Sequence, residues 1–426
     1  MDITLIFNIV PKILPAFMLG IVALVGLIIQ RKPYGDVIRG TIKTMAGLLI
    51  LFIAVDVIVA VIDPITMLFS KVYAVESTTA LADWTAFLGE YGIQIVLVMV
   101  LGFVFNLIFA RITPFKYIFL TGHILFWYAF TMVGALADGG KVTGLPLIII
   151  GGILLGIWVT VTPALTAKYV EKLTGNKDFV IGHSTIGLAW LGATVGKLVG
   201  DPEDSMETLE FPKGLDWIKE MVISTSLIMF LLYLIFGFLA GPGWAAEQFV
   251  GGTVWLWYVW IIFQAIQFGA GLVVLLTGVR MMLAEIVPAF RGIAQKVVPD
   301  AVPALDCPMV FPFAPNSLAI GFPIAMVTSL ITLFIFGAAG YQFVLVPMVV
   351  AAFFDAGPAA VLANATGGRR GVIAAAIVAG IGMVFLQAFG LIFVQNTAAG
   401  FVLAFGGNDV GLMAIIIGGI ARLLGF

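Results

Sequence analysis

Apolar runs of roughly 18 residues or more, each long enough to cross a bilayer as a helix, recur along almost the whole chain. About eleven are present, near 13–30, 45–62, 93–112, 117–137, 144–164, 222–240, 255–279, 318–336, 342–363, 371–394 and 411–424. The chain is 62% hydrophobic and 10% charged, and no polar stretch is long enough to be a soluble domain on a single anchor. The fold class expected is therefore an all-α polytopic membrane protein, one integral-membrane domain over 1–426. Its first apolar segment lacks a basic leader and a cleavage signature and is read as a retained span.

Two further apolar stretches, about 181–200 and 301–317, are too short or too broken to cross. The second holds Pro303, Pro308, Pro312 and Pro315 around Asp306 and Cys307. Proline lacks the N–H that a helix needs, and backbone freed at membrane depth survives only against protein or a water-filled cavity. Both stretches are read as re-entrant hairpins, the kind of broken segment that houses transporter sites.

Basic residues test the span count independently, because Lys and Arg crowd cytoplasmic loops. Alternating loops sort 18 of the 21 to one side, with Lys12, Lys71 and Lys141 opposite. That places the N-terminus outside and the C-terminus, after Arg422, in the cytoplasm. Segments 34–44 and 283–298 are amphipathic and are expected to lie at the interface. Each carries Arg-Gly followed by Lys, at Arg39-Gly40 with Lys43 and at Arg291-Gly292 with Lys296, a hint of inverted repeats. The polar loop 168–221 is either a docking surface for a soluble partner or a solvated connector. The external segment 65–92 is either a hairpin near the substrate path or a loop.

Ionisable groups at membrane depth are costly and so mark candidate sites. His123, beside Gly122, can donate to a ligand hydroxyl or tie a backbone carbonyl. His183-Ser184-Thr185 opens the first hairpin, where free helix N–H groups favour an anionic or hydroxyl-rich ligand. Asp306 can accept from a substrate hydroxyl, act as general base, or cap the next helical fragment. Asn316 offers an amide to the same ligand or a cap. Asp355, before Ala356-Gly357-Pro358, and Asp56, among apolar neighbours, complete the set. One cysteine and two histidines supply a metal site poorly, and no metal, cofactor or nucleic acid is expected. No catalytic-triad spacing, metalloprotease helix or phosphate-binding loop occurs, so covalent chemistry by this chain unaided is not indicated.

Gly40-Thr41-Ile42-Lys43-Thr44, Leu120-Thr121-Gly122-His123-Ile124, Ile181-Gly182-His183 and Gly278-Val279-Arg280-Met281 form one ordered set. Ala284-Glu285, Ala289-Phe290 and the block from Asp306-Cys307 to Phe313-Ala314-Pro315-Asn316 continue it. Together they resemble the membrane permease subunit, enzyme IIC, of ascorbate-type bacterial phosphotransferase systems. The resemblance implies an eleven-span protomer of a homodimer in the bacterial cytoplasmic membrane. It implies a core domain moving like an elevator against a scaffold domain. It also implies inward carriage of ascorbate or a related sugar acid, phosphorylated by a soluble IIB phosphocysteine that a IIA subunit recharges. His123, His183 and Asp306 then become substrate contacts, with Asp306 a possible proton acceptor. The pattern departs where ascorbate transporters carry glutamines, since Trp127, Tyr128, Ser184 and Thr185 stand there, and Phe52 replaces a polar residue. A ketose or pentitol is the alternative substrate, and a proton-coupled secondary transporter of a small anion is the alternative class.

Overall fold

The computed structural model of this chain describes residues 16–17, 19–73, 84–139, 142–209, 221–296, 298–343 and 345–425. The segment 74–83 within the expected external loop and 210–220 within the long polar loop lie outside the described residues. The chain begins with α1 (Leu19–Ile29), α2 (Tyr34–Tyr73) and α3 (Trp84–Ile112). Then come β1 (Tyr117–Phe119), α4 (Gly122–Ala137), α5 (Gly144–Val161), α6 (Pro163–Thr174), β2 (Val180–Ile181) and α7 (Ile186–Val199). After the polar loop follow α8 (Met221–Ala240), α9 (Pro242–Val250), α10 (Val254–Lys296) and β3 (Val302–Leu305). The last part comprises α11 (Pro315–Ala338), α12 (Val349–Phe354), α13 (Ala356–Ile392), α14 (Ala399–Phe405) and α15 (Asp409–Leu423).

Among the described residues, six helical segments are long and apolar enough to cross a membrane, and a seventh if α8 and α9, bent by 113°, form one broken span. The other expected spans are shorter or interrupted. The 117–137 stretch divides into β1 and α4, and 342–363 breaks at Asp355 between α12 and α13. Segment 34–44 is the start of α2 and residues 283–296 are the end of α10, each continuous with the long helix it adjoins.

Two helix groups pack internally. α2, α8 and α10 form one, and α7, α11 and α13 form the core of the other. In the first group the backbones of α2 and α10 nearly touch: a Cβ on Gly47 would stand 2.8 Å from Met282 N, and one on Gly278 2.7 Å from Leu51 N. Lys43 pairs with Glu285 at 3.3 Å across the same seam. In the second group α13 is two helices joined at Gly368, whose φ of 54° suits glycine. A Cβ there would lie 2.2 Å from the carbonyl oxygen of Asp204. This turn is pinned by the Arg369–Asp204 pair at 3.2 Å.

The helical reading omits one element, a three-stranded parallel sheet in the order β1-β3-β2. Pro303 sits in its central strand, a position that ordinarily demands an N–H. Leu305 faces β2 through its carbonyl, which accepts from Gly182 N, so by strand alternation Pro303 faces that side as well. There β2 pairs only from Ala304 onward, and the missing donor has no partner to lose.

One expectation is overturned. Loop charges placed residues 138–143 and Arg422 on opposite faces. In the structure Arg422 lies 3.2 Å from Asp138 Oδ2 and donates to the carbonyl of Ile392 at 2.5 Å, so all three stand at one end. α15 has only 15 residues and starts deep in the molecule, at Asn408 and Asp409, both buried. It therefore returns to the end from which the chain entered instead of crossing.

Candidate functional site

All three strands stop at the same depth, and each is followed within a few residues by a candidate. The ladder hydrogen bonds run to this edge, with Leu120 N donating to Ala304 O at 3.0 Å and Gly182 N to Leu305 O at 2.6 Å. Beyond it, β1 leads into α4 and His123, β2 into the Gly182-His183-Ser184-Thr185 turn that opens α7, and β3 into Asp306. Crevices beyond the carboxyl ends of parallel strands are where open sheets gather ligand groups. Gly182 is required by close approach, since a Cβ would stand 2.7 Å from the carbonyl carbon and oxygen of Ala304.

Asp306 is the hub. Its Oδ2 lies 3.5 Å from His123 Nε2 and its Oδ1 3.6 Å from His183 Nε2. Oδ1 also accepts from Cys307 N at 2.7 Å, capping the 3-10 turn Cys307–Phe313. The capping and binding readings of this residue are thus compatible. The other nitrogen of His183, Nδ1, stands 3.4 Å from Ser184 Oγ and 3.8 Å from Asp355 Oδ1. His183 therefore sits between two carboxylates.

Asp355 occupies the break between α12 and α13. Its Oδ2 accepts from Asn408 Nδ2 at 2.8 Å, and its backbone carbonyl accepts from Thr185 Oγ1 at 2.5 Å. Its Oδ1 is buried and accepts no hydrogen bond among the described residues. Behind this layer Asp409 ties three elements together. It accepts from Gly187 N at 2.8 Å and from the Tyr128 hydroxyl at 3.4 Å, while its own N donates to Ser184 O at 2.7 Å.

These groups line a cavity of about 260 Å³ between the two helix groups. Its polar wall comprises His123, His183, Ser184, Asp306, Asp355 and Asn408, with the exposed Asp56 of α2. Its apolar wall is aromatic: Trp127 stacks on Phe401 with centroids 4.5 Å apart, and Phe52 meets the His123 ring edge-on at 5.7 Å. Phe354 and Phe405 extend that wall.

Of the candidates, His123, His183, Ser184, Asp306, Asp355, Asp56 and Trp127 come together on this cavity, and Thr185 supports it through Asp355. Asn316 is not among the lining residues. Its N–H, with that of Ser317, donates to the Glu207 carboxylate at 2.9 Å at the start of α11. Glu207 thus gives part of the long polar loop a structural role as a helix cap. Sequence reasoning passed over Asn408 and Asp409, whose signal was an Asn-Asp pair after two glycines in an apolar stretch, a recognisable helix start. Tyr128 stood out only as a departure from the glutamine of the family pattern, with nothing in the sequence to indicate its hydrogen bond to Asp409.

The ligand atoms of His123, His183 and Asp306 all lie within 4.8 Å of one another, a grouping able to hold a metal ion. Two imidazoles and a carboxylate are suitable ligand types. One cysteine and two histidines had made a metal site look poorly supplied from the sequence.

Long apolar helices, with a cavity lined in part by buried ionisable side chains among them, define an integral membrane protein. Within that class the chain belongs to the PTS system sugar-specific permease component family, EIIC-GAT, whose profile matches residues 8–409. The chain is 27% identical to the ascorbate-specific PTS system EIIC component of Mycoplasma pneumoniae, over 90% of its own length. It spans 66% of the length of that relative.

Proposed function

We propose that this chain is the enzyme IIC permease of a phosphotransferase system, binding a small sugar-like substrate in the His123–His183–Asp306 cavity and carrying it inward. Soluble IIB then phosphorylates the substrate, with IIA recharging IIB. The observation that carries this reading is the convergence of the three residues at the strand ends, on a cavity of sugar size between two helix groups. Cys307 is not the phosphate donor: it is buried, and its thiol donates to the carbonyl of Phe354 at 3.2 Å. The donor belongs to the partner.

In this reading the α2–α8–α10 group is the scaffold and the sheet-bearing group the moving core, within a homodimer in the bacterial cytoplasmic membrane. The cavity's position between the two groups supports an elevator-type movement. The basic turns face the cytoplasm, which places Asp138 and Arg422 outside. The substrate belongs to one of two classes. One is ascorbate, named for the Mycoplasma relative, or another sugar acid; the other is a ketose or pentitol.

Membrane vesicles carrying this protein, loaded with phosphoenolpyruvate, the general phosphotransferase proteins, IIA and IIB, test the proposal. Labelled sugar is expected to accumulate as its phosphate and to stop accumulating when IIB is omitted. Accumulation of unmodified sugar without IIA and IIB would replace this reading with a secondary transporter.

A further inference from the structure

We infer that the chain binds one divalent transition-metal ion of the zinc class through His123 Nε2, His183 Nε2 and the Asp306 carboxylate. The ligand atoms of these residues lie within 4.8 Å of one another. Asp306 stands 3.5 Å from His123 Nε2 and 3.6 Å from His183 Nε2. Both distances exceed the roughly 2.7–2.9 Å of a charge-assisted hydrogen bond. A nitrogen and an oxygen held by zinc at its usual bond lengths and tetrahedral angle stand about 3.4 Å apart. The spacing is thus closer to that of two ligands around an ion than to that of a direct pair. Asp306 is also oriented for the task, because its Oδ1 accepts from Cys307 N at 2.7 Å and the carboxylate cannot turn freely.

The surrounding groups point the same way. An imidazole on a metal ordinarily gives its other N–H to a carboxylate, a carbonyl or water. His183 Nδ1 has Asp355 Oδ1 at 3.8 Å and Ser184 Oγ at 3.4 Å. That Asp355 oxygen is buried and accepts no hydrogen bond among the described residues, while Oδ2 is held by Asn408 Nδ2 at 2.8 Å. His123 Nδ1 is likewise buried with no hydrogen-bond partner among the described residues. Asp306 and Asp355 are buried carboxylates on a wall that has no Lys or Arg among its described residues. Buried charge needs an opposite charge beside it, and a divalent cation offsets both carboxylates. Three protein ligands leave coordination positions open toward the cavity, as in zinc sites that keep a water. Two nitrogens and one carboxylate suit zinc, cobalt or nickel, whereas magnesium and calcium prefer all-oxygen sets. The ion takes up the side chains assigned to the sugar, so the two exclude each other; that consequence alone rests on the permease reading.

The test is metal binding to the purified full-length protein, stripped with a chelator and freed of any histidine tag, by calorimetry with Zn2+ and visible absorption with Co2+. The chain has only two histidines, so histidine ligation identifies this site. Zn2+ is expected to bind one ion per chain at micromolar concentration, undisturbed by millimolar Mg2+ or Ca2+. Co2+ is expected to give the intense visible absorption of a four-coordinate site. His123→Ala and His183→Ala are each expected to weaken Zn2+ binding at least tenfold. No binding at hundreds of micromolar Zn2+, displacement by Mg2+ or Ca2+, or an unchanged affinity in either variant overturns the inference. Where a variant does not elute as folded protein, the cobalt spectrum of the parental chain decides, and the weak spectrum of the aqueous ion overturns the inference. Neither sugar nor phosphate donor enters these measurements, so failure here leaves the permease reading standing, and failure of the vesicle experiment leaves the metal site standing.

Discussion

His183 Nε2 lies 3.6 Å from Asp306 Oδ1, and the pairing of Ile181 with Leu305 in adjacent parallel strands is what sets that distance. The strand register fixes where each chain leaves the sheet. The side chains that follow are then delivered to one point.

If that point is the substrate site, Asp306→Asn and His183→Ala should each reduce uptake at least tenfold. Both variants should still elute as folded protein on gel filtration, because neither change adds bulk. Uptake at the parental rate in either one removes that residue from the site.

Gly182→Ala should damage the site without touching a polar group. The new Cβ would meet the Ala304 carbonyl at 2.7 Å and force β2 away from β3. A lower melting temperature together with weakened substrate binding is the expected result. Full binding at unchanged stability would mean that the strand edge can shift freely.

Glu207→Ala separates stability from transport. It leaves the N–H groups of Asn316 and Ser317 and the Ser317 hydroxyl without their carboxylate. Losing a helix cap of this kind costs about 1 kcal/mol, up to about 2. The melting temperature should fall by a few degrees while substrate affinity holds, since Glu207 is not among the lining residues. A large loss of affinity with no change in melting temperature would contradict the capping role.

The Asp138–Arg422 pair predicts the topology of the last helix. A cysteine placed at Leu424, which is 64% exposed, should react in intact cells with a maleimide that cannot cross the membrane. The native Cys307 is buried and should contribute little background. Labelling only after permeabilisation would put that end in the cytoplasm.

Much of this was legible in one dimension. The apolar runs named a polytopic membrane protein, and the residues of the cavity's polar wall were largely singled out because charged or imidazole groups are rare in such a chain. The prolines around Asp306 announced broken backbone, and they do stand in β3 and the 3-10 turn. Asn408 and Asp409 read locally as a helix start, but only the fold brings them to Asp355 and Ser184. Asn316 sat in the right block, but its backbone is engaged by Glu207 from a loop whose path local pattern did not specify.

The sequence by itself determined the solvent, the helices and the chemical types available for a site, because hydropathy, proline and ionisable side chains act locally. The tertiary structure alone decided which of those groups meet and on which face the last helix ends. Three strands of two to four residues carry too little pattern to be recognised singly, yet their pairing brings His123 and His183 to Asp306. Likewise, loop charge could not assign the side of Arg422, because its placement depends on Asp138, a partner 284 residues away in the chain.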